Sequence, residues 1–240
     1  MQILHGLAEH AGRYERFAAA ANKQGYTVVA HDHRGHGPKC APHRLGHFAD
    51  RQGWSKVIAD VDVVRTYIRS RFEAVPLVLF GHSMGSYVAQ SYVMRHADVV
   101  DGLILSGSTW PQRGPVSLAR GLAWFLSTLR GPTSRGSLMT KLSFGAFNKR
   151  FEPVRTRFDW LSRDENEVDR YIDDPLCGAT SSNQLWHDLL GGILEIGQAE
   201  SLARLTKTLP LLSTLMQGVL AGRQPVRARR TARLCAQIRL

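Results

Sequence analysis

Ser83 lies in Gly81-His82-Ser83-Met84-Gly85, a G-x-S-x-G that follows the apolar run Pro76–Phe80 and precedes a helix-like stretch. A strand that turns this sharply into a helix lifts the serine Oγ above the sheet edge, and the two glycines let the backbone pass closely. Residues of this type at this spacing predict nucleophilic acyl chemistry at Ser83. The hydroxyl is a weak nucleophile without a neighbouring base. His82 is too close in sequence to be that base and is expected to pack beside the elbow. A carbonyl under attack also needs N–H donors for the oxygen that becomes negative. One donor is expected at Met84, immediately after the nucleophile. The other is expected at Leu7, in His5-Gly6-Leu7-Ala8-Glu9-His10, where a glycine follows a short apolar strand.

These groups need a scaffold that brings residue 7 to residue 83. Met1–Leu4, Tyr26–Ala30, Pro76–Phe80 and Gly102–Ser106 read as strands, and Leu209-Pro210-Leu211-Leu212 as the start of another. Helical spacing is seen over 14–24, 54–72 and 84–96. The strands are continuous apolar runs rather than alternating ones, which predicts an α/β fold with a mostly parallel sheet covered by helices. The alternation stops after Ser106. Residues 111–200 read as helical, with breaks at Gly131-Pro132 and Glu152-Pro153 and a strongly apolar segment over 117–129. The expected division is a core over 1–110, an inserted helical cap over 111–200, and a remnant of core with a basic tail over 201–240.

Net charge is +11, but no acid follows Glu200 while eight basic residues do. Taken from the total, those eight leave +3 for residues 1–200. The basic character belongs to the tail and lacks interleaved aromatics, so no nucleic-acid partner is expected. Cys40, Cys177 and Cys235 form no C-x-x-C and suggest neither a disulfide framework nor a zinc site. His31, His33 and His36 crowd one glycine-punctuated loop, whose turning backbone gives no common face for a metal. The expectation is no metal and no cofactor. With no leader and no spanning run, the expected location is the cytoplasm.

Four motifs stand in order: His5-Gly-Leu-Ala-Glu-His10 with Arg13-Tyr14; Asp32-His33-Arg34-Gly35-His36-Gly37; the elbow; and Asp174-Pro-Leu-Cys-Gly178. Together they resemble the monoacylglycerol lipase/lysophospholipase branch of the α/β-hydrolases, also labelled serine aminopeptidase-like, over roughly residues 2–212. The resemblance implies cofactor-free hydrolysis of carboxylic esters, typically monoacylglycerols or lysophospholipid-type lipids. It implies a cap that covers an acyl pocket and touches membrane surface transiently, so a peripheral location is also expected. His5, Gly6, Asp32, Arg34, Gly35, His36 and Gly37 are expected to tie loops together beside the site rather than to react. Another α/β-hydrolase, peptidase-like, is the alternative enzyme.

The triad partners follow the serine in this fold, acid first and histidine later. By the resemblance, Ala221–Val226 corresponds to the segment carrying the acid, with Gln224 at the aspartate's position. A neutral amide does not stabilise an imidazolium. After Ser83 only His96 and His187 remain, and neither is placed as a base. The family also has two strands before the one at Met1. The expectation is a sequence truncated or frame-disrupted at both ends, with an incomplete sheet and impaired catalysis, or else a non-catalytic acyl-binding remnant.

Overall fold

The structure is a computed structural model that describes residues 1–96, 98–109, 112–145, 147–205 and 208–214. Gln224 and most of the basic tail lie outside the described residues.

Five strands, β1 (Gln2–Leu4), β2 (Val29–His31), β3 (Val78–His82), β4 (Gly102–Ser106) and β5 (Leu211–Thr214), form one sheet in the order β2-β1-β3-β4-β5. Every pairing is parallel and the sheet is open. The helices between them are α1 (Glu15–Lys23), α2 (Gly53–Arg71) and α3 (Met84–Arg95). The chain runs outward from β1 to β2, then returns to place β3 on the other side of β1. That reversal opens a crevice beyond the carboxyl ends of β1 and β3, where ligands bind in doubly wound sheets. The loop after β1 and the elbow after β3 both empty into it.

Some strand bounds differ from those expected, most of all at β2 and β3. β2 begins at Val29 rather than Tyr26, because β1 offers only Gln2–Leu4 as partners. β3 extends to His82, which pairs with Ser106 of β4. This longer pairing carries the strand to the residue before Ser83.

Between β4 and β5 the described chain is helical: α4 (Arg113–Arg130), α5 (Ser137–Phe144), α6 (Glu165–Asp173), α7 (Asn183–Ile196) and α8 (Ala199–Ala203), with 3₁₀ turns between. α4 starts four residues before the apolar segment read from the sequence. Its first turn holds Pro115, where a missing N–H leaves no helical bond unmade. α7 joins the main core: Leu185, Trp186, Leu189 and Leu190 share one apolar cluster with Trp54, Val57 and Ile58 of α2 and Val88, Ala89 and Tyr92 of α3. Trp54 Nε1 donates to Ser91 Oγ at 3.1 Å. Arg95 and Glu195 make a bidentate bond at 2.8 and 2.6 Å, which ties the end of α3 to the end of α7.

Asp188 is a half-buried carboxyl within this packing. It sits on α7 against Gly53, where a Cβ would come within 2.3 Å of its Oδ2. Burial pushes its carboxyl up to about 6, against a weaker opposing pull from a hydrogen bond with Gln184. A raised carboxyl favours the protonated folded chain, so its contribution is fully present below pH 4. It is lost as pH rises through 6, and the deficit is constant above that. Asp188→Asn is therefore expected to stabilise the fold by roughly 1–2 kcal/mol at pH 8, allowing for the partly solvated side chain. At pH 4 it should change little. Urea melts at both pH values check this; an equal effect at the two would contradict it.

Candidate active site

The elbow follows from close backbone packing. Ser83 adopts φ 50°, ψ −117°, a region that strains any residue with a Cβ. Three bonds hold it there. Its N–H donates to Ser106 O at 2.8 Å, and its carbonyl accepts from Ser86 N–H at 2.9 Å and Ser86 Oγ at 2.6 Å. A Cβ on Gly81 would come within 2.4 Å of Gly85 O, and one on Gly85 within 2.0 Å of Leu4 O. The helix start is pressed directly onto the end of β1. His82 Nδ1 meets Ser106 Oγ at 3.1 Å, so its ring braces the turn from the side.

The loop after β1 has two of its N–H groups occupied. Gly6 N–H donates to Glu9 Oε1 at 2.5 Å, and Ala8 N–H to His36 Nε2 at 3.4 Å. Leu7 N–H, between them, has no hydrogen-bond partner among the described residues. Met84 N–H likewise has none, since it opens α3 and the first turn of a helix leaves its donors unpaired. Leu7, Ser83 and Met84 line one cavity.

Buried histidines hold this loop. His5 Nδ1 donates to Gly6 O at 2.7 Å while its Nε2 accepts from His33 N–H at 2.9 Å, which fixes one neutral tautomer. His36 repeats the pattern, with Nδ1 bonded to Arg34 O at 2.9 Å. Burial holds both rings below the ordinary histidine value. Asp32 Oδ1 accepts from Ala11 N–H at 2.8 Å. The loop's own turns depend on glycine: Gly37 (φ 75°) packs on the Asp32 carboxyl and Gly35 (φ 72°) on the His47 backbone. Arg34 points outward to pair with Asp60 at 2.6 Å.

The Asp174–Gly178 motif, carried in the sequence only by resemblance, braces the same loop from the turn that follows α6. Ala8 is held at φ 58° and its carbonyl accepts from Gly178 N–H at 2.9 Å and Tyr171 Oη at 2.8 Å. His10 Nε2 lies 2.7 Å from Asp174 Oδ2, and one candidate ligand atom from each of His10, Asp174 and Cys177 lie within 4.8 Å of one another. Gly12 N–H donates to His10 Nδ1, so Nε2 carries the proton and donates to Asp174. Burial, then Asp174, pushes the Cys177 thiol up to about 12. With both protons in place, the cluster is a hydrogen-bonded latch between the loop and α6.

A family model described as serine aminopeptidase, S33, matches residues 1–217. The chain belongs to that family. Monoglyceride lipase of Rattus norvegicus is 29% identical over 227 residues, 90% of this chain and 63% of its own length. A monoglyceride lipase homolog of Monkeypox virus is 28% identical, covering 72% of this chain and 55% of its own. The chain thus spans between 55% and 63% of the length of these two relatives. A thermostable carboxyl esterase from Bacillus coagulans, solved with glycerol, superimposes with a TM-score of 0.79 over 98% of this chain and 76% of that one. At 23% identity it shows the fold, which is that of the α/β-hydrolases.

Two cavities of this α/β-hydrolase meet at Ser83 and Leu7. One, about 230 Å³, is mostly apolar, with Tyr87, Phe147, Trp186, Leu189 and Ile193 in its walls. The other, about 560 Å³, is more polar and carries Lys141 and Arg157. Phe144 and Trp160, stacked with centroids 5.6 Å apart, line both.

A triad base is not among the described residues around Ser83. All ten histidines of the chain fall at or before His187, and none hydrogen-bonds the Ser83 hydroxyl. His96 stacks on Tyr92 at 4.7 Å, beyond the far end of α3, on the order of 18 Å of helix from the elbow. His187 Nδ1 contacts Arg120 O at 3.4 Å, between α7 and α4. Ser83, Leu7, Met84 and the loop residues His5, Gly6, Asp32 and His36 are brought together, while Arg34 faces outward; Gln224, expected at the acid's position by resemblance, lies outside the described residues.

Proposed function

We propose that Ser83 is the nucleophile of a carboxylic-ester hydrolase site, with Leu7 and Met84 N–H groups as its oxyanion hole. The proposed substrate is a single-chain lipid ester of monoacylglycerol or lysophospholipid type. The observation that carries this reading is the meeting of a mostly apolar chamber and a more polar one at a strained serine flanked by two N–H groups that have no partner among the described residues. An acyl chain fits the first chamber and a head group the second. Within these 240 residues no histidine is placed to take the serine proton, so the site binds and orients but reacts slowly. That feature also favours a second reading, an acyl-binding remnant without turnover. Prolonged exposure to an alkyl fluorophosphonate, followed by peptide mass mapping, separates the two. An adduct on Ser83 that is absent from Ser83→Ala supports the hydrolase; no adduct, with the acyl ligand still bound, supports the remnant.

The helical segment 111–200 is proposed to act as the cap, anchored by α7, which packs in the core. Leu118, Trp124, Phe125 and Leu129 of α4, with Leu138 and Leu142 of α5, are exposed. No helix among the described residues is long and apolar enough to cross a membrane, so this face is proposed to rest on a membrane surface. Trp→Asp at Trp124 together with Leu→Asp at Leu118 is expected to lower binding to neutral phosphatidylcholine vesicles about tenfold or more, read by co-sedimentation. Unchanged binding would contradict surface contact through the cap.

A further inference from the structure

We propose that the polar chamber receives an anionic, phosphate-bearing head group of a single-chain lipid ester, and that Lys141 and Arg157 select it. This rests on the reading of Ser83 as the nucleophile of a lipid-ester site and names which lipids that site prefers.

The chamber wall is mixed: Phe144, Trp160 and Leu161 stand beside the hydroxyls of Ser137, Thr140, Thr180 and Ser181 and two cations, Lys141 and Arg157. Hydroxyls suit any polyol, so they accept glycerol and glycerophosphate alike. The cations do not. Neither is in an ion pair among the described residues, whereas the neighbouring arginines are neutralised: Arg155 pairs with Asp169 at 2.6 Å and Arg170 with Glu167. Among the described residues the single carboxylate in the wall is Glu9, and its oxygens are already engaged by Gly6 N–H, Tyr14 Oη at 2.9 Å and Arg13 at 3.4 Å. It is thus not available to neutralise the two cations. The Arg157 guanidinium lies over the Phe158 ring at 4.6 Å, an arrangement that limits its freedom and retains it at the chamber rim. A glycerol head would leave both charges facing water. A phosphate accepts a charge-assisted hydrogen bond from either cation, bidentate from arginine. Because both side chains are exposed, the attraction works at the rim and is screened by salt.

The test is binding, which needs no turnover. Monomeric 1-dodecanoyl-glycerol 3-phosphate, neutral 1-dodecanoyl-glycerol and glycerol 3-phosphate alone are titrated by calorimetry at low and high salt, against wild type and the Lys141→Ala/Arg157→Ala double variant. The phosphate lipid is expected to bind wild type about tenfold tighter than the neutral lipid at low salt. That gap should close at about 0.5 M salt and vanish in the double variant. The neutral lipid's affinity should not change between the two proteins, which shows that the variant is folded and its acyl chamber intact. Equal affinity for the two lipids in wild type, or a gap that survives the double substitution, overturns the head-group assignment and leaves the esterase reading standing. Glycerol 3-phosphate binding as tightly as the phosphate lipid overturns the lipid source. Failure of both lipids to bind overturns the assignment together with the esterase reading.

Discussion

Cleavage of a short-chain aryl ester by these 240 residues is expected to run on the order of 10⁶-fold below that of a complete serine triad. The reason is proton transfer. Ser83 is held at its strained φ by Ser106 and Ser86, and Leu7 and Met84 offer unpaired N–H groups. In the proposed role those parts would stabilise the oxyanion but not remove the hydroxyl proton. Site binding and an oxyanion hole alone leave roughly 10³–10⁴-fold acceleration over water. His82 is adjacent but engaged with Ser106, while His96 and His187 are occupied elsewhere. Stopped-assay hydrolysis of p-nitrophenyl butyrate by wild type and Ser83→Ala measures the residual rate. A wild-type rate within about a hundredfold of an ordinary esterase, whose kcat is on the order of 10 s⁻¹, would show that a base is present.

Gly85→Ala is expected to destabilise the fold by at least about 3 kcal/mol, a large share of the stability of an ordinary domain. The added Cβ would stand 2.0 Å from Leu4 O and 2.7 Å from His5 O. Both are backbone atoms, Leu4 ending the strand that pairs with β2 and β3 at once and His5 following it, so no side chain can move aside. Relief requires α3 to lift from β1, which parts Ser83 from Leu7. Gly121→Ala is the control. It lies inside α4 with nothing within 4 Å of the new Cβ, and is expected to gain about 0.5–1 kcal/mol from helix propensity. Chemical melts of the two variants should move in opposite directions. A Gly85→Ala change within 1 kcal/mol of wild type would refute the close-packing account of the elbow.

The parts of the site that were legible in the sequence are those set by local geometry. Gly81 and Gly85 mark a turn whose backbone must pass another backbone, and Gly6 follows a strand end; both signals are local. The bracing of the loop was not legible in that way. Ala8 is fixed by Tyr171 and Gly178, more than 160 residues away, so the Asp174–Gly178 motif had a name by resemblance but no mechanism. Glu9 was visible as part of a motif, yet its task of occupying Gly6 N–H depends on a side-chain rotamer. Lys141 and Arg157 carried no signal at all: two surface-type cations in a helical region become wall residues only when α5 and the segment before α6 fold over Ser83. The strand bounds failed for a similar reason. Tyr26-Thr27-Val28 has strand-like residues, but a three-residue β1 cannot pair with all of Tyr26–Ala30. In each case the missing information is the partner, which sequence pattern does not contain.

The most direct measurement is the pH dependence of the Ser83-dependent rate, taken as wild-type minus Ser83→Ala hydrolysis of p-nitrophenyl butyrate between pH 6 and 9. A serine in an oxyanion hole without a histidine base depends on hydroxide, so the difference should climb about tenfold per pH unit with no plateau. A Ser83-dependent rate that levels off above about pH 7 would reveal a titrating base within the chain, and the absence of any Ser83-dependent rate would remove the nucleophile itself.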